Sequence, residues 1–157
     1  MEKSKLNKFI QKYNLGGNVN SVKWKSDGDK LSTTFVTPDK SLLGTVSVDK
    51  FKFEDAELGV YQTDLLKNLL GVLDDDLSLT LLRFGDKAVA LKAKNGSVSV
   101  DYVLSDLSVI ADPPELKRLP EFDTHIKLDS KFIETFIKGK SALSEAETFT
   151  IINGKEG

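Results

Sequence analysis

Residues 5–10 of the chain read KLNKFI, and the same apolar pattern returns as LLKNLL at residues 65–70 and as FIETFI at residues 132–137. In each copy the apolar side chains stand at the second, fifth and sixth positions, which is the spacing of one face of a helix. A strand and a tight turn follow each helix, and the turns lie at 27–30, 85–87 and 153–155. The repeat predicts an α+β fold built from duplicated half-domains, each a helix with an antiparallel sheet.

The composition limits the class of protein. The 157 residues include 22 basic and 24 acidic side chains, for a net charge of −2, which argues against a generally basic nucleic-acid binder. The chain contains no cysteine, so a disulfide framework and a thiolate metal site are excluded. The N-terminus lacks the apolar core of a signal peptide, and no apolar run approaches the ~20 residues that span a bilayer. These features predict a soluble, cytoplasmic protein.

Periodicity and turn signals predict the order of elements in the first two-thirds of the chain. The first helix covers 3–14 and ends at Gly16-Gly17. The second helix runs from about Thr63, its predicted N-cap, to Leu73. The predicted strands are 19–25, 31–36, 43–53, 58–61, 77–84, 87–94 and 97–104, with a further candidate strand at 107–111.

The segment 112–120 contains three prolines and is predicted to be an interdomain connector, because proline removes a backbone donor and biases its predecessor to extended geometry. Residues 1–111 are then one complete domain of two half-repeats, and residues 121–157 open a second, incomplete domain. That second part is predicted to hold a short strand at 125–128, a helix capped by Asp129 or Ser130, and a strand at 148–152. Because this last strand lacks neighbours, disorder, swapping or pairing with another chain is expected near 140–157.

With these elements in order, the chain resembles the sliding clamps, which are DNA polymerase processivity factors, and most closely the clamp of T-even-type bacteriophages. The best stretches are 65–75, 110–113 leading into the connector, and 127–138 with 151–154. The resemblance implies the DNA-clamp fold, in which helices line the inside of a ring and sheets form its outside. It also implies that a full subunit has two such domains and closes as a homotrimer, so this chain would be truncated within its second domain.

The resemblance implies a function in DNA replication. A clamp encircles duplex DNA without reading its sequence, tethers the replicative DNA polymerase for processive synthesis, and is placed on DNA by a clamp loader. It is not an enzyme and needs no cofactor. The alternative interpretation is a repeat-built α+β protein-interaction scaffold with no role on DNA.

A clamp requires basic side chains on the helices that line its hole, because they attract the phosphate backbone without reading bases. On the first helix, Lys5, Lys8 and Lys12 follow i, i+3, i+7 spacing on the side away from the apolar stripe. The competing interpretation is that lysines on an exposed helix face only solvate it. The full set of predicted DNA-facing residues is Lys3, Lys5, Lys8, Lys12, Lys67, Lys131, Lys138 and Lys140.

Partner binding is the second property that the resemblance implies, through a short peptide held in an apolar pocket beside the connector. Leu116 and Leu119 are the apolar residues of the connector and are the predicted partner-binding residues, although they could instead only pin the linker to the sheet. His125 is the single histidine and has no second ligand nearby, so the sequence predicts no metal site and no catalytic residue. Trp24 is predicted to pack in a core rather than to stack on bases.

Overall fold

The computed structural model describes residues 3–115, 118, 121–123 and 125–152, which fall into two units, 1–115 and 116–157. The helices are α1 (Lys3–Asn14), α2 (Thr63–Gly71) and α3 (Ser130–Ala142). The strands are β1 (Val22–Ser26), β2 (Lys30–Val36), β3 (Leu43–Asp49), β4 (Ala56–Val60), β5 (Ser78–Phe84), β6 (Lys87–Asn95) and β7 (Val98–Val103).

Two antiparallel sheets form the first unit, in the strand orders β3-β2-β1-β4 and β5-β6-β7. The hairpin between β1 and β2 closes at Asp27, whose carboxylate accepts a hydrogen bond from the Lys30 amide at 3.0 Å. The hairpins of the second sheet turn at Gly85 and Gly96, where φ is +60° and +55° and glycine is the residue that adopts this geometry without strain. Each sheet therefore follows the turn signals of the sequence.

The apolar stripe of α1 lies in the core beneath the first sheet. Leu6, Phe9, Ile10 and Tyr13 are at most 2% exposed. Trp24 of β1 is 1% exposed, and its ring meets those of Phe9 and Tyr13 edge to face at centroid distances of 5.4 and 6.3 Å. The prediction that Trp24 packs in a core is confirmed.

The helices α1 and α2 lie side by side and run antiparallel. At one end the Lys3 ammonium group donates to the Leu73 carbonyl just beyond α2, and at the other the Lys67 ammonium group donates to the Asn14 amide oxygen at 3.1 Å. The start of α1 thus meets the end of α2. The two half-repeats share one core, which includes Leu66 and Leu70 of α2.

The start of α2 differs from the prediction. Thr63 does not cap the helix; its hydroxyl is buried and donates to the Asn20 carbonyl at 2.9 Å. The cap comes instead from Asn20, whose side-chain oxygen accepts from the Asp64 amide at 2.9 Å. Tyr13 and Trp24 extend this buried chain of hydrogen bonds, from the indole N–H to the Tyr13 hydroxyl at 3.2 Å and on to the Thr63 hydroxyl at 3.1 Å.

Two further strand predictions are corrected in the first unit. The strand predicted over 43–53 ends at Asp49, because Lys50 adopts a positive φ of 56° and turns the chain. The candidate strand at 107–111 is a 3-10 turn over Leu107–Val109, and the Asp106 side chain caps it by accepting from the Ser108 amide at 3.0 Å.

The segment 105–113 crosses the face of the first sheet that points away from α1. The Ser105 amide donates to the Gly59 carbonyl at 2.9 Å, and Ile110 is only 4% exposed. A methyl group at Gly59 would collide with the Ser105 carbonyl oxygen, so β4 needs glycine here for this close approach. The Lys23 ammonium group pairs with the Asp112 carboxylate at 2.6 Å and fastens the end of the segment to β1.

In the second unit, α3 begins as predicted at the N-cap Asp129, whose carboxylate accepts from the Phe132 amide at 2.7 Å. No strand forms at 125–128 or 148–152, so both strand predictions for this unit are wrong. A strand requires a neighbour to complete its hydrogen bonds, and the described part of this unit supplies none. Phe149 instead packs edge to face on Phe136 of α3, with a centroid distance of 5.0 Å.

Candidate nucleic-acid interface

A basic stripe on α1, formed by Lys5, Lys8 and Lys12, lies on the side of the helix that points away from the core. Lys8 and Lys12 are exposed and Lys5 is half-buried. No Asp or Glu occurs in α1. The ion pairs of residues 3–115 engage other cations and none of these three lysines. The α1 basic stripe is therefore a concentrated, uncompensated positive surface.

Lys3 and Lys67 lie apart from this stripe. Both turn toward the junction of α1 and α2, where Lys3 bonds to the Leu73 carbonyl and Lys67 bonds to Asn14. Lys67 also pairs with Asp64 one turn earlier on α2, with 3.3 Å between nitrogen and oxygen. These two ammonium groups stabilise the helix pair and are partly neutralised by it.

The equivalent surface of α2 is not basic. The gapless alignment of the two helices matches Lys5, Lys8 and Lys12 with Leu65, Asn68 and Val72. Leu65 is 46% exposed, Asn68 is also exposed, and Val72 at the C-cap of α2 is 67% exposed, so an uncharged strip stands where α1 carries its charges. Sequence reasoning missed this strip, although extending the alignment by two residues to Val72 would have revealed it.

The lysines of α3 also separate into two groups. Lys131 and Lys138 are exposed and stand seven residues apart, which places them on one face of the helix. Lys140 folds back on the end of its own helix, donates to the Ala146 carbonyl at 2.6 Å, and lies 5.5 Å from the centre of the Phe149 ring. Lys140 thus acts as a helix C-terminal partner and a cation–π donor within its unit.

The chemistry open to the α1 basic stripe is attraction of a polyanion without sequence recognition. Seven residues of helix advance about 10 Å, and duplex DNA carries a charge about every 1.7 Å of its axis. The stripe therefore spans a length of duplex that holds several phosphates, and it offers three ammonium groups to them. Ammonium groups on long, flexible side chains attract phosphates as point charges and do not fix base identity.

A second feature of the first unit is an open groove of about 270 Å³ beside the start of the connector. Its lining includes Val36, Tyr61, Val109 and Pro113. Tyr61 is 49% exposed and Val109 is 61% exposed. The predicted partner-binding residues Leu116 and Leu119 lie outside the described residues. The groove lining ends at Pro113, three residues before Leu116 in the sequence.

The described residues hold no group of three His, Cys, Asp or Glu side chains that could bind a metal ion, and His125 is exposed. The carboxylates with shifted pKa values belong to turns. Hydrogen bonds from Ser108 lower the pKa of Asp106, and hydrogen bonds from Thr37 and Ser41 lower the pKa of Asp39. None of the helices among the described residues is long and apolar enough to cross a membrane.

A comparison with solved structures identifies the fold of the chain. The chain is similar in structure to the DNA polymerase III subunit beta from Pseudomonas aeruginosa, with a TM-score of 0.52 and 18% sequence identity. The likeness covers 73% of this chain and 31% of that protein, so the chain spans about a third of its length. The fold is the α+β fold of the sliding clamps. The fold class predicted from the sequence is confirmed.

The sequence comparisons add no relative, since no protein-family model and no curated protein matches the chain. At this level of identity the structural likeness establishes the clamp fold, and the finer resemblance to a bacteriophage clamp stays a prediction.

Proposed function

We propose that this chain is part of a sliding clamp that surrounds duplex DNA and tethers a replicative DNA polymerase, without enzymatic activity of its own. In this proposal the subunits close a ring, a trimer as in the clamps of bacteriophages, and a loader opens it around DNA. The observation that carries the proposal is the α1 basic stripe on the exposed side of a helix pair whose fold is that of a clamp.

The distribution of charge supports loose rather than tight attachment. Lys5, Lys8 and Lys12 attract phosphate, while the aligned strip of α2 offers Leu65 and Val72, which form no ionic contact with a duplex. A surface that must slide cannot hold the backbone at many fixed points. The two remaining members of the predicted inner wall in this unit, Lys3 and Lys67, are held by the helix pair and contribute weaker attraction in this proposal.

The first test measures binding of the 157-residue protein to a fluorescent duplex by anisotropy, as a function of salt. Each phosphate contact contributes about 0.9 to the slope of log K against log salt, so replacing Lys5, Lys8 and Lys12 by alanine is expected to reduce that slope by up to ~2.7. The matched control replaces three exposed lysines elsewhere in the unit, Lys25, Lys52 and Lys94, and removes the same charge.

Weak binding that depends on the α1 basic stripe and not on the control lysines supports the proposal. Equal losses from both triple variants would mean that only net charge matters, which favours the alternative of an interaction scaffold with no role on DNA. Strong binding at physiological salt would also contradict the proposal, because three contacts on one face cannot supply it.

The polymerase, in the same proposal, docks through a short peptide in the groove lined by Val36, Tyr61, Val109 and Pro113. The connector residues Leu116 and Leu119 stay predicted partner-binding residues. A synthetic peptide with two adjacent apolar anchors, leucine and phenylalanine, is the probe, and its binding is followed by amide chemical shifts. Val109→Asp is expected to abolish the shifts, and Val103→Asp, at a still more exposed valine in β7, is the control.

A further inference from the structure

The second sheet, β5-β6-β7, exposes large apolar side chains that the first sheet does not. Among the described strand residues of the first sheet, no large apolar side chain is exposed. In the second sheet, Leu82, Phe84 and Val103 are 38%, 83% and 76% exposed. Apolar surface concentrated in this way marks an interaction site.

The strand register gathers these side chains on one face of the second sheet. Leu82 of β5 pairs with Ala90 of β6, and Ala90 pairs with Val103 of β7, so the three side chains form an apolar row across the strands. The next residue of β6, Leu91, and its partner Tyr102 belong to the core of the unit. Because successive residues of a strand point to opposite faces, the apolar row lies on the outward face of the sheet.

The first sheet shows that an outward face of this unit does not require apolar side chains. Its outward row across β1, β2 and β3 is formed by Lys25, Ser32 and Ser47, which pair in the same manner. The two halves of the unit thus differ at this face, although both build their cores from the same pattern. The apolar row of the second sheet is therefore available for contact with another molecule.

The apolar row has the shape and length of a seat for a helix. Ala90 is 7% exposed and lies between the longer side chains of Leu82 and Val103, so the row has a notch at its centre. Neighbouring strands lie about 4.8 Å apart, which makes the row about 10 Å long. A helix advances about the same distance in seven residues and presents positions i, i+4 and i+7 on one face. The row thus matches the apolar stripe of a helix that crosses the strands.

The charges around the apolar row indicate the chemistry of that helix. The outward lysines of β6 are Lys87 on one side of the row and Lys92 and Lys94 on the other. Lys87 lies 3.5 Å from Asp106, Lys92 lies 3.8 Å from Asp101, and Lys94 forms no ion pair with the described residues. Long ion pairs between exposed side chains contribute little, so carboxylates of a partner can replace them.

We propose that the outward face of the second sheet is a docking site for an acidic amphipathic helix of another protein. The apolar stripe of the helix covers Leu82, Ala90 and Val103, and Phe84 contacts its side. Its acidic residues face the lysines of β6 on both flanks of the row. This inference is separate from DNA binding and from the peptide groove, because it involves neither the α1 basic stripe nor the residues beside the connector.

The experiment measures binding of a labelled helical peptide to the 157-residue protein by fluorescence anisotropy. The probe has about 18 residues, with leucine at i, i+4 and i+7 and glutamate on both flanks of the leucine stripe. The matched control peptide carries lysine in place of every glutamate. The glutamate peptide is expected to bind, more weakly as salt rises, and the lysine peptide is expected to bind at least about tenfold more weakly.

Variants of the protein locate the site. Val103→Asp is expected to weaken binding of the glutamate peptide by roughly thirtyfold or more, because it places a carboxylate in the apolar row opposite an acidic partner. Lys87→Glu combined with Lys92→Glu is expected to reverse the preference in favour of the lysine peptide. Val109→Asp, at an exposed valine of the groove beside the connector, is the matched control and should leave binding unchanged.

Equal binding of the two peptides would overturn the proposal, and so would binding that is indifferent to Val103→Asp or absent at about 1 mM peptide. Sedimentation equilibrium of the protein alone tests another occupant. A dimer that Val103→Asp dissociates would mean that a second copy of the chain covers the row, which would also overturn the proposal. Loss of DNA binding in the α1 lysine variants would leave these results unchanged, so the two proposals fail independently.

Discussion

The helices α1 and α3 carry one sequence pattern in two surroundings. In α1, the residues Leu6, Phe9 and Ile10 are at most 2% exposed, because the first sheet and a second helix pack against α1. In α3, the aligned Ile133, Phe136 and Ile137 are at least 43% exposed. The comparison separates what makes a helix from what makes a core. Apolar periodicity and a cap are sufficient to form the helix. Burial of its apolar face also requires other elements to pack against it, and the pattern does not supply them.

The largest expected effect comes from the aligned phenylalanines. Phe9→Ala should lower the free energy of unfolding of the first unit by about 3–5 kcal/mol, because it leaves a cavity among Tyr13 and Trp24. Phe136→Ala, at the same position of α3, should change it by less than about 0.5 kcal/mol. Urea unfolding followed by the fluorescence of Trp24, the single tryptophan, measures both. Equal losses of stability in the two variants would contradict the expected difference between α1 and α3.

The second effect concerns pH at the next aligned position, where α1 has Tyr13 and α3 has Lys140. Burial raises the pKa of Tyr13 well above its ordinary value of 10.0. The unfolded chain therefore loses this proton first, so the contribution of Tyr13 is present below pH 10 and is lost as the pH rises above it. The free energy of unfolding should fall by up to about 1.4 kcal/mol per pH unit there.

Tyr13→Phe is the control for this prediction. It removes the hydrogen bonds to Thr63 and Trp24 and lowers stability at neutral pH, but it should flatten the decline above pH 10. Burial also raises the pKa of Tyr102, so part of the decline should remain. An unchanged slope in Tyr13→Phe would show that Tyr13 ionises in the folded state as it does in the unfolded state.

The helix caps sharpen the same contrast. Asp129→Ala removes the carboxylate that accepts from the Phe132 amide, and Asn20→Ala removes the cap of α2. Each loss costs about 1 kcal/mol. The first should speed amide hydrogen exchange in α3 alone, whereas the second should lower the urea midpoint reported by Trp24. Faster exchange in α1 or α2 after Asp129→Ala would mean that the two units unfold together.

The smallest effect is a gain. Gly139 lies within α3, and a methyl group added there would meet no atom within 4 Å. Gly139→Ala should stabilise α3 by roughly 0.5–1 kcal/mol through helix propensity, seen as slower amide exchange. Gly71 in α2 has the same open surroundings, since a methyl group there would also meet no atom within 4 Å. Gly71→Ala is the companion variant, and its gain should appear instead in the urea midpoint.

Much of the first unit follows from the sequence because its signals are local. The apolar stripe of α1 has helical spacing, and the turn sequences at Gly85 and Gly96 predict their hairpins. The sequence analysis missed the cap of α2 because the capping side chain belongs to Asn20, which lies far from the helix in sequence. The Thr63 hydroxyl, 43 residues further along the chain, also bonds to Asn20. Contacts between residues that are distant in sequence cannot be predicted from the pattern of a short segment.

The lysines of the candidate site also fall into those that local spacing predicts and those that depend on distant contacts. The spacing of Lys5, Lys8 and Lys12 identifies one exposed stripe from the sequence alone, because all three lie on a single helix. The positions of Lys3 and Lys67 depend on a helix pair, and their partners Leu73 and Asn14 lie on the other half-repeat. The strand predicted at 148–152 is likewise not formed. A strand needs a neighbouring strand, and the pattern of one short segment does not show whether that neighbour exists.

The crossing of residues 105–113 over the first sheet has a mechanical consequence. A pulling force applied at residue 115 reaches the Lys23–Asp112 ion pair, the buried Ile110 and the Ser105–Gly59 contact before it reaches β7. The load is shared with β1 and β4 of the other sheet, and β7 is not peeled from β6 one hydrogen bond at a time. Tension along the connector is therefore borne by both half-repeats.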